Sequence, residues 1–238
     1  MKYSLKQFLF LIICISIVGC VSVKLNKLNT YYTSIPDTQK TLFIPKYGPG
    51  HQFKGYPYIY WNFCKQKQKQ LGLISPETSE NPFIYRVWIT NPTGRKNQPH
   101  GLIEIKCDSN KCSGKLVLMH VNFNQGNLSE TIIDSKNIEL TPKKTDWKTI
   151  IDNLMKLKID ILPTDDLIPN YYSADEGYDN NATTFSFEFA TEYQYRFYQY
   201  SNIYRAPDKF WQSKNVIAIL NLLEEEFKWD SIAKEYFK

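Results

Sequence analysis

The chain predicts an α+β fold: an antiparallel sheet of about five to six strands with helices packed on one face. Three observations carry this. Runs rich in β-branched and aromatic residues follow one another through short turn-forming stretches, as antiparallel neighbours do. Two later segments change to a helical period of apolar residues. The order strand, strand, strand, helix, strand, strand, helix does not alternate as a doubly wound fold requires. Composition agrees, because 17 Tyr, 14 Phe and 5 Trp favour a sheet with one exposed aromatic face, Tyr tolerating a half-wet position.

The elements follow in chain order. Pro45 to Pro57 is thick with Gly and Pro and reads as loop. Tyr58 to Leu71 is expected to be helical, with Gly72 placed to end it in the left-handed conformation. Its Lys65-Gln-Lys-Gln-Lys69 run is the densest basic stretch and is expected to be a solvated helix face. Phe83 to Thr90 is a strand closed by Asn91-Pro92-Thr93-Gly94. Leu102 to Cys107 and Lys115 to Phe123 make a hairpin around the turn-prone Asp108–Lys111, and Asn137 to Leu140 is a short fourth strand.

Thr145 or Asp146 is placed to cap a helix that starts at Trp147. Its apolar residues are Trp147, Ile150, Ile151, Leu154, Leu157 and Ile161, and Pro163 closes it. After a polar stretch from Asp165 to Asn181, Thr183–Phe189 alternates with its Phe residues on one side. Tyr193–Tyr200 returns beside it. A last helix opens at Asp208, with Val216, Ile219, Leu220, Leu223 and Phe227 on one stripe.

The start of the chain carries a different signal. Lys2 and Lys6 precede an unbroken apolar-to-small run from Phe8 to Val18, followed by Gly19-Cys20. A charged head, a short apolar run and a small residue before a cut describe a secretory leader. The run is about half the roughly 20 residues a spanning helix needs. The residues Ile17-Val18-Gly19-Cys20 resemble the lipobox of bacterial lipoproteins. That resemblance implies cleavage before Cys20, with diacylglycerol on its sulfur and a fatty acyl group on the new amino terminus. Residues 1–19 are then a lipoprotein signal peptide, 20–45 a lipidated flexible tether, and 46–238 a single domain. The implied location is the cell envelope, at the outer membrane or periplasmic face, with membrane lipid as partner through acylated Cys20.

Charge excludes one class of partner. The chain has 29 basic and 24 acidic residues; without Lys2 and Lys6 the body carries 27 against 24, or +3. No basic block is long enough for nucleic acid. Among the cysteines of that body, Cys107 and Cys112 flank four turn-prone residues and form a candidate disulfide, with two reduced core thiols as the alternative. A single C-x4-C without a nearby His is a poor zinc site. Cys64, among Tyr60, Trp61 and Phe63, reads as a buried small hydrophobe.

No catalytic, metal or cofactor motif is present in the sequence. His51, His100 and His120 stand apart, and neither a Gly-x-Ser-x-Gly elbow nor a phosphate loop occurs. Asp165, Asp166, Asp175, Glu176 and Asp179 offer hard oxygens, but their spacing departs from an EF-hand and reads as solvated loop. Tyr193, Tyr195, Tyr198, Tyr200, Tyr204 and Trp211 suit either a platform for sugar rings or the half-buried face of a hairpin. Arg86 and Arg196 fall inside strands, where an Arg is usually paired or laid on an aromatic ring.

From Phe83 onward the order of features resembles a broad group of uncharacterised bacterial envelope proteins. The residues that carry this are Tyr85-Arg-Val-Trp-Ile89, the Trp147 helix ending at Leu162-Pro163, the Thr183–Glu188 strand with its internal Glu, and the Tyr-rich return strand. The resemblance implies a shared fold and a lipoprotein habit, and no activity. The function expected is a membrane-tethered binding or structural module that meets an envelope protein or glycan, without a cofactor. An envelope-acting hydrolase is the alternative.

Overall fold

The computed structural model describes residues 32–33, 40–45, 56–91, 98–109, 111–124, 126–127, 129–171, 182–201, 203–204 and 208–238. The expected leader, Cys20 and most of the expected tether lie outside them. The fold is α+β. Its sheet has eight strands: β1 (Tyr32–Thr33), β2 (Thr41–Pro45), β3 (Phe83–Thr90), β4 (Gln98–Cys107), β5 (Cys112–Asn124), β6 (Ser129–Leu140), β7 (Thr184–Ala190) and β8 (Gln194–Ser201). They lie in the order β1-β2-β8-β7-β3-β4-β5-β6. All neighbours are antiparallel except β2 and β8, which run parallel. The helices are α1 (Tyr56–Gln70), α2 (Trp147–Lys156), α3 (Trp211–Phe227) and α4 (Trp229–Tyr236).

Three features depart from expectation. Thr41–Pro45, expected within the tether, is a strand, fastened by Thr41 N–H donating to the Tyr193 carbonyl at 2.9 Å. Its run of three apolar residues, Leu-Phe-Ile, is too short to show a period. The fourth strand begins at Ser129 rather than Asn137. As the edge strand it leaves most of its side chains in water, so the apolar alternation that marks a half-buried strand is missing.

The third departure concerns the layers: helices cover both faces of the sheet, not one. Along β3, Tyr85 and Val87 enter one core with Ile150 of α2 and Val216, Ile219 and Leu223 of α3. Ile84 and Trp88 enter a second core with Tyr60, Phe63 and Cys64 of α1. Successive residues of a strand face opposite sides, so β3, β7 and β8 are almost wholly buried.

Local rules explain the ends of the helices. Asp146 caps α2 by accepting from Thr149 N–H at 2.7 Å. The helix stops at Lys156, because Lys158 adopts a left-handed φ of 64°. Ile161, expected on the apolar stripe, is therefore exposed. The last helix opens at Trp211 rather than Asp208, and Lys228, at φ 57°, divides it into α3 and α4. Gly114 is dictated by packing: a Cβ there would come within 2.5 Å of the Trp147 ring. Cys107 and Cys112 face each other at the β4–β5 hairpin mouth and are joined in a disulfide.

Candidate functional site

Two places in the molecule gather chemistry, one closed and one open. The closed one lies between α1 and the sheet. Arg86 of β3 sits beside Glu104 of β4 and Glu188 of β7, because the three are register partners across adjacent strands. Its Nε donates to Glu104 at 2.5 Å, Nη1 lies 3.6 Å from Glu188, and Nη2 donates to the Ile74 carbonyl at 2.8 Å. Glu188 also accepts from Trp88 Nε1 at 2.6 Å and from the Tyr195 hydroxyl at 2.9 Å. Burial pushes the Glu104 carboxyl up, but Arg86 and Lys115 more than offset it and hold it below the usual range.

A second buried pair adjoins. Lys67 of α1 meets Glu130 of β6 at 2.9 Å, with both side chains essentially out of water. The contact is an ion pair, since neither Glu130 oxygen receives an aligned hydrogen bond. The Lys67 ammonium also lies 3.4 Å from His100 Nδ1. Burial first, and Lys67 second, keep the His100 pKa well below its ordinary value, so the ring stays neutral. Gln66 and Gln70 of α1 clip the edge strand by accepting from Glu130 N–H at 3.0 Å and Ile132 N–H at 2.9 Å. Cys64 is buried and its thiol pushed up by that burial, which leaves it protonated and inert.

These charges serve one another. The strong acceptors are committed to Arg86, Trp88 and Tyr195, and a helix roofs them over, so the layer holds α1 to the sheet rather than presenting reactive groups. The sequence hid it. Lys65–Lys69 was expected to be a solvated face, yet Lys67 and Gln68 are buried. Every charge in the layer comes from a different element, so no local spacing could announce the cluster.

The open place is a groove on the opposite face, about 410 Å³ in volume, between the sheet and the α3–α4 corner. Leu116, Leu118 and Phe185 form its floor, and Trp229, Ala233 and Phe237 its wall. Glu224, Asp230 and Lys234 stand on its rim, where Glu224 accepts from Asp230 N–H at 2.8 Å and Asp230 pairs with Lys234 at 2.5 Å. Asn221 and Tyr204 also line the groove. A volume in this range with an apolar floor and a few polar groups at the mouth is the ordinary form of a small-ligand site.

The other residues singled out by sequence fall as follows. Cys20, His51, Asp175, Glu176 and Asp179 lie outside the described residues. Asp165 is buried, not solvated, and accepts from Ser201 N–H at 2.9 Å. No group of three metal-ligating side chains occurs among the described residues. His120 pairs with Asp134 at 2.9 Å, and Tyr236 donates to the same carboxylate at 3.0 Å. Among the described residues His120 hydrogen-bonds to no serine, threonine or cysteine. The tyrosines do not form one platform: Tyr195, Tyr198 and Tyr200 are buried, while Tyr193, Tyr204 and Trp211 are exposed. Arg196 lies over the Phe43 ring at 4.5 Å.

No family model, curated protein or solved structure matches the chain.

Proposed function

We propose that the protein is a cell-envelope lipoprotein, held to a membrane through acylated Cys20, whose folded body is a binding module. The observation that carries the anchor is the run Phe8–Val18 followed by Gly19-Cys20. The Cys107–Cys112 disulfide supports the same location, since such bonds persist in oxidising compartments. No helix among the described residues is long and apolar enough to cross a membrane; the anchor we assign is the lipid on Cys20. Two or three acyl chains hold firmly where one is marginal.

The binding role rests on the contrast between the two chemical places. The charged layer is roofed and its charges are paired, whereas the groove under Trp229 and Phe237 is open and apolar. We assign the groove as the binding site for a small amphipathic molecule or side chain whose donor group meets Glu224 and Asp230. The hydrolase alternative has only the His120–Asp134 pair in its favour.

Mass analysis of the amino-terminal peptide tests the anchor. The expected result is an acylated peptide that starts at Cys20, and a Cys20→Ser chain that leaves the membrane fraction on high-salt washing. A mature protein that starts elsewhere and carries no lipid defeats this reading. A photo-crosslinker at Asn221 in intact cells tests the groove, and should label a ligand that Ala233→Trp excludes.

A further inference from the structure

A third surface combines exposed apolar groups with positive charge. Eight large apolar side chains are exposed among the described residues, and three of them, Met155, Ile161 and Trp211, belong to one corner. Two consecutive short turns confine the first two: Lys158 N–H donates to the Met155 carbonyl at 2.9 Å, and Ile161 N–H to the Lys158 carbonyl at 3.0 Å. Asn215 of α3 fastens the same turn by donating from Nδ2 to the Leu157 carbonyl at 3.0 Å. Trp211 lies four residues before Asn215, hence on the same side of α3. The Lys158 ammonium closes the corner by sitting 4.7 Å from the centre of the Trp211 ring.

The charge around this corner is one-sided. Lys156, Lys158, Lys209 and Lys214 stand against Asp160 and Asp208, which leaves +2. Lys158 holds a left-handed φ of 64° just past the helix end, and from there its side chain places a cation on Trp211.

We propose that this corner is a membrane-contact face, with Trp211, Ile161 and Met155 in the headgroup layer of an anionic bilayer and the lysines reaching its phosphates. Trp and Lys suit that zone because each has an apolar body and a polar tip. The surface charge of anionic lipid attracts basic side chains within a Debye length. The inference rests on the lipid anchor at Cys20, which brings the domain to the bilayer; the corner then decides which side faces it, leaving the groove on α4 free to meet its ligand.

The test uses the full-length protein on vesicles of phosphatidylethanolamine with phosphatidylglycerol, and on vesicles of phosphatidylcholine alone. A water-soluble acylating reagent that cannot cross bilayers is read lysine by lysine by mass spectrometry. Lys158 and Lys214 should react about fivefold more slowly on the anionic vesicles, with Lys111 and Lys136 unchanged. Trp211→Ser with Ile161→Ser, both exposed and so tolerated by the fold, should abolish the difference. Equal rates on both vesicles with an acylated Cys20 overturn the contact face and leave the anchor standing. Slow rates with an unmodified Cys20 remove the anchor and leave the face. Protection in native membranes but on neither vesicle assigns the corner to a protein partner, and overturns the proposal as well.

Discussion

The two faces of the sheet exclude water equally well and do so with opposite chemistry. Toward α2 and α3 the strands present Tyr85, Val87, Ile103, Ile105, Phe187 and Phe189, packed on aliphatic helix residues. The polar tips on that side find neighbours of their own kind: the hydroxyls of Tyr85 and Tyr198 lie 3.2 Å apart, and Tyr200 donates to the Pro163 carbonyl at 2.6 Å. Toward α1 the same strands place Arg86, Glu104, Glu188 and His100 among Trp88, Leu102 and Met119. The first face is held by many small contacts, none indispensable. The second depends on a few charges, each of which has to be matched.

That difference predicts opposite coupling between neighbours, and this is the largest effect. Lys67→Met strands the Glu130 carboxylate in a dry site, and should cost about 3–5 kcal/mol. Adding Glu130→Leu should restore most of the loss, because a buried pair replaced by apolar groups is often neutral. On the other face Phe187 stacks on Tyr198 with ring centroids 4.9 Å apart. Phe187→Ala should cost about 3–5 kcal/mol too, and Tyr198→Ala added to it should cost more, not less. Urea unfolding of the two double-mutant cycles measures both signs. A Lys67/Glu130 double variant less stable than either single would show that the polar face is held by attraction rather than by the cost of isolation.

Acid separates the faces next. His100 is kept neutral in the fold by burial and by Lys67, whereas in the unfolded chain it takes a proton below about 6.5. Between that value and its depressed folded pKa the unfolded state binds more protons, so stability falls as pH drops from 6.5. Glu104 acts lower down: its folded pKa lies below the ordinary 4.5, so its contribution is present above that value and lost as pH falls through the folded one. Glu226, on the apolar side, behaves as Glu104 does, because its burial is outweighed by the N–H groups of Lys144 and Thr145. Melting temperatures between pH 7 and 5 should therefore decline in the native chain, and hold level in His100→Asn.

How much of this was legible depended on whether the signal was local. Phe83–Thr90 was readable to the residue, because seven β-formers around Arg86 end at Asn-Pro. The buried stripe Val216, Ile219, Leu220, Leu223 and Phe227 was equally readable from its period. The second core was not. Glu104 and Lys106 alternate with Ile103 and Ile105, a pattern that ordinarily means one wet face, yet α1 covers that face and Arg86 pairs the buried Glu104. Of the candidate site, the Cys107–Cys112 pair could be foreseen from a turn, while the groove is assembled from β4, β5, β7 and two helices and has no linear trace.

The disulfide offers a smaller and more selective perturbation. Cys107 lies on the apolar side of the sheet, at the mouth of the β4–β5 hairpin. Closing a loop of about six residues restricts the unfolded chain by about 2 kcal/mol at 25 °C. Cys107→Ser with Cys112→Ser should lower stability by about that amount, read by urea titration. The decline between pH 7 and 5 should persist unchanged, since neither sulfur touches the His100 layer. A change in that decline would mean that the two faces are one cooperative network rather than two.

The least of the effects is also the one that separates stability from use. Lys158 holds its left-handed backbone against a penalty of roughly 1–2 kcal/mol for a residue with a Cβ, part of which glycine relieves. Lys158→Gly loses the cation on Trp211, which is worth about 0.5–1 kcal/mol at an exposed site. It also makes the unfolded chain more flexible, by about 0.4–1 kcal/mol. These terms nearly cancel, so urea titration should find stability unchanged within about 1 kcal/mol. A lysine kept only for the fold would give a larger loss. If stability holds while vesicle protection of Lys214 falls, the residue serves the bilayer rather than the fold.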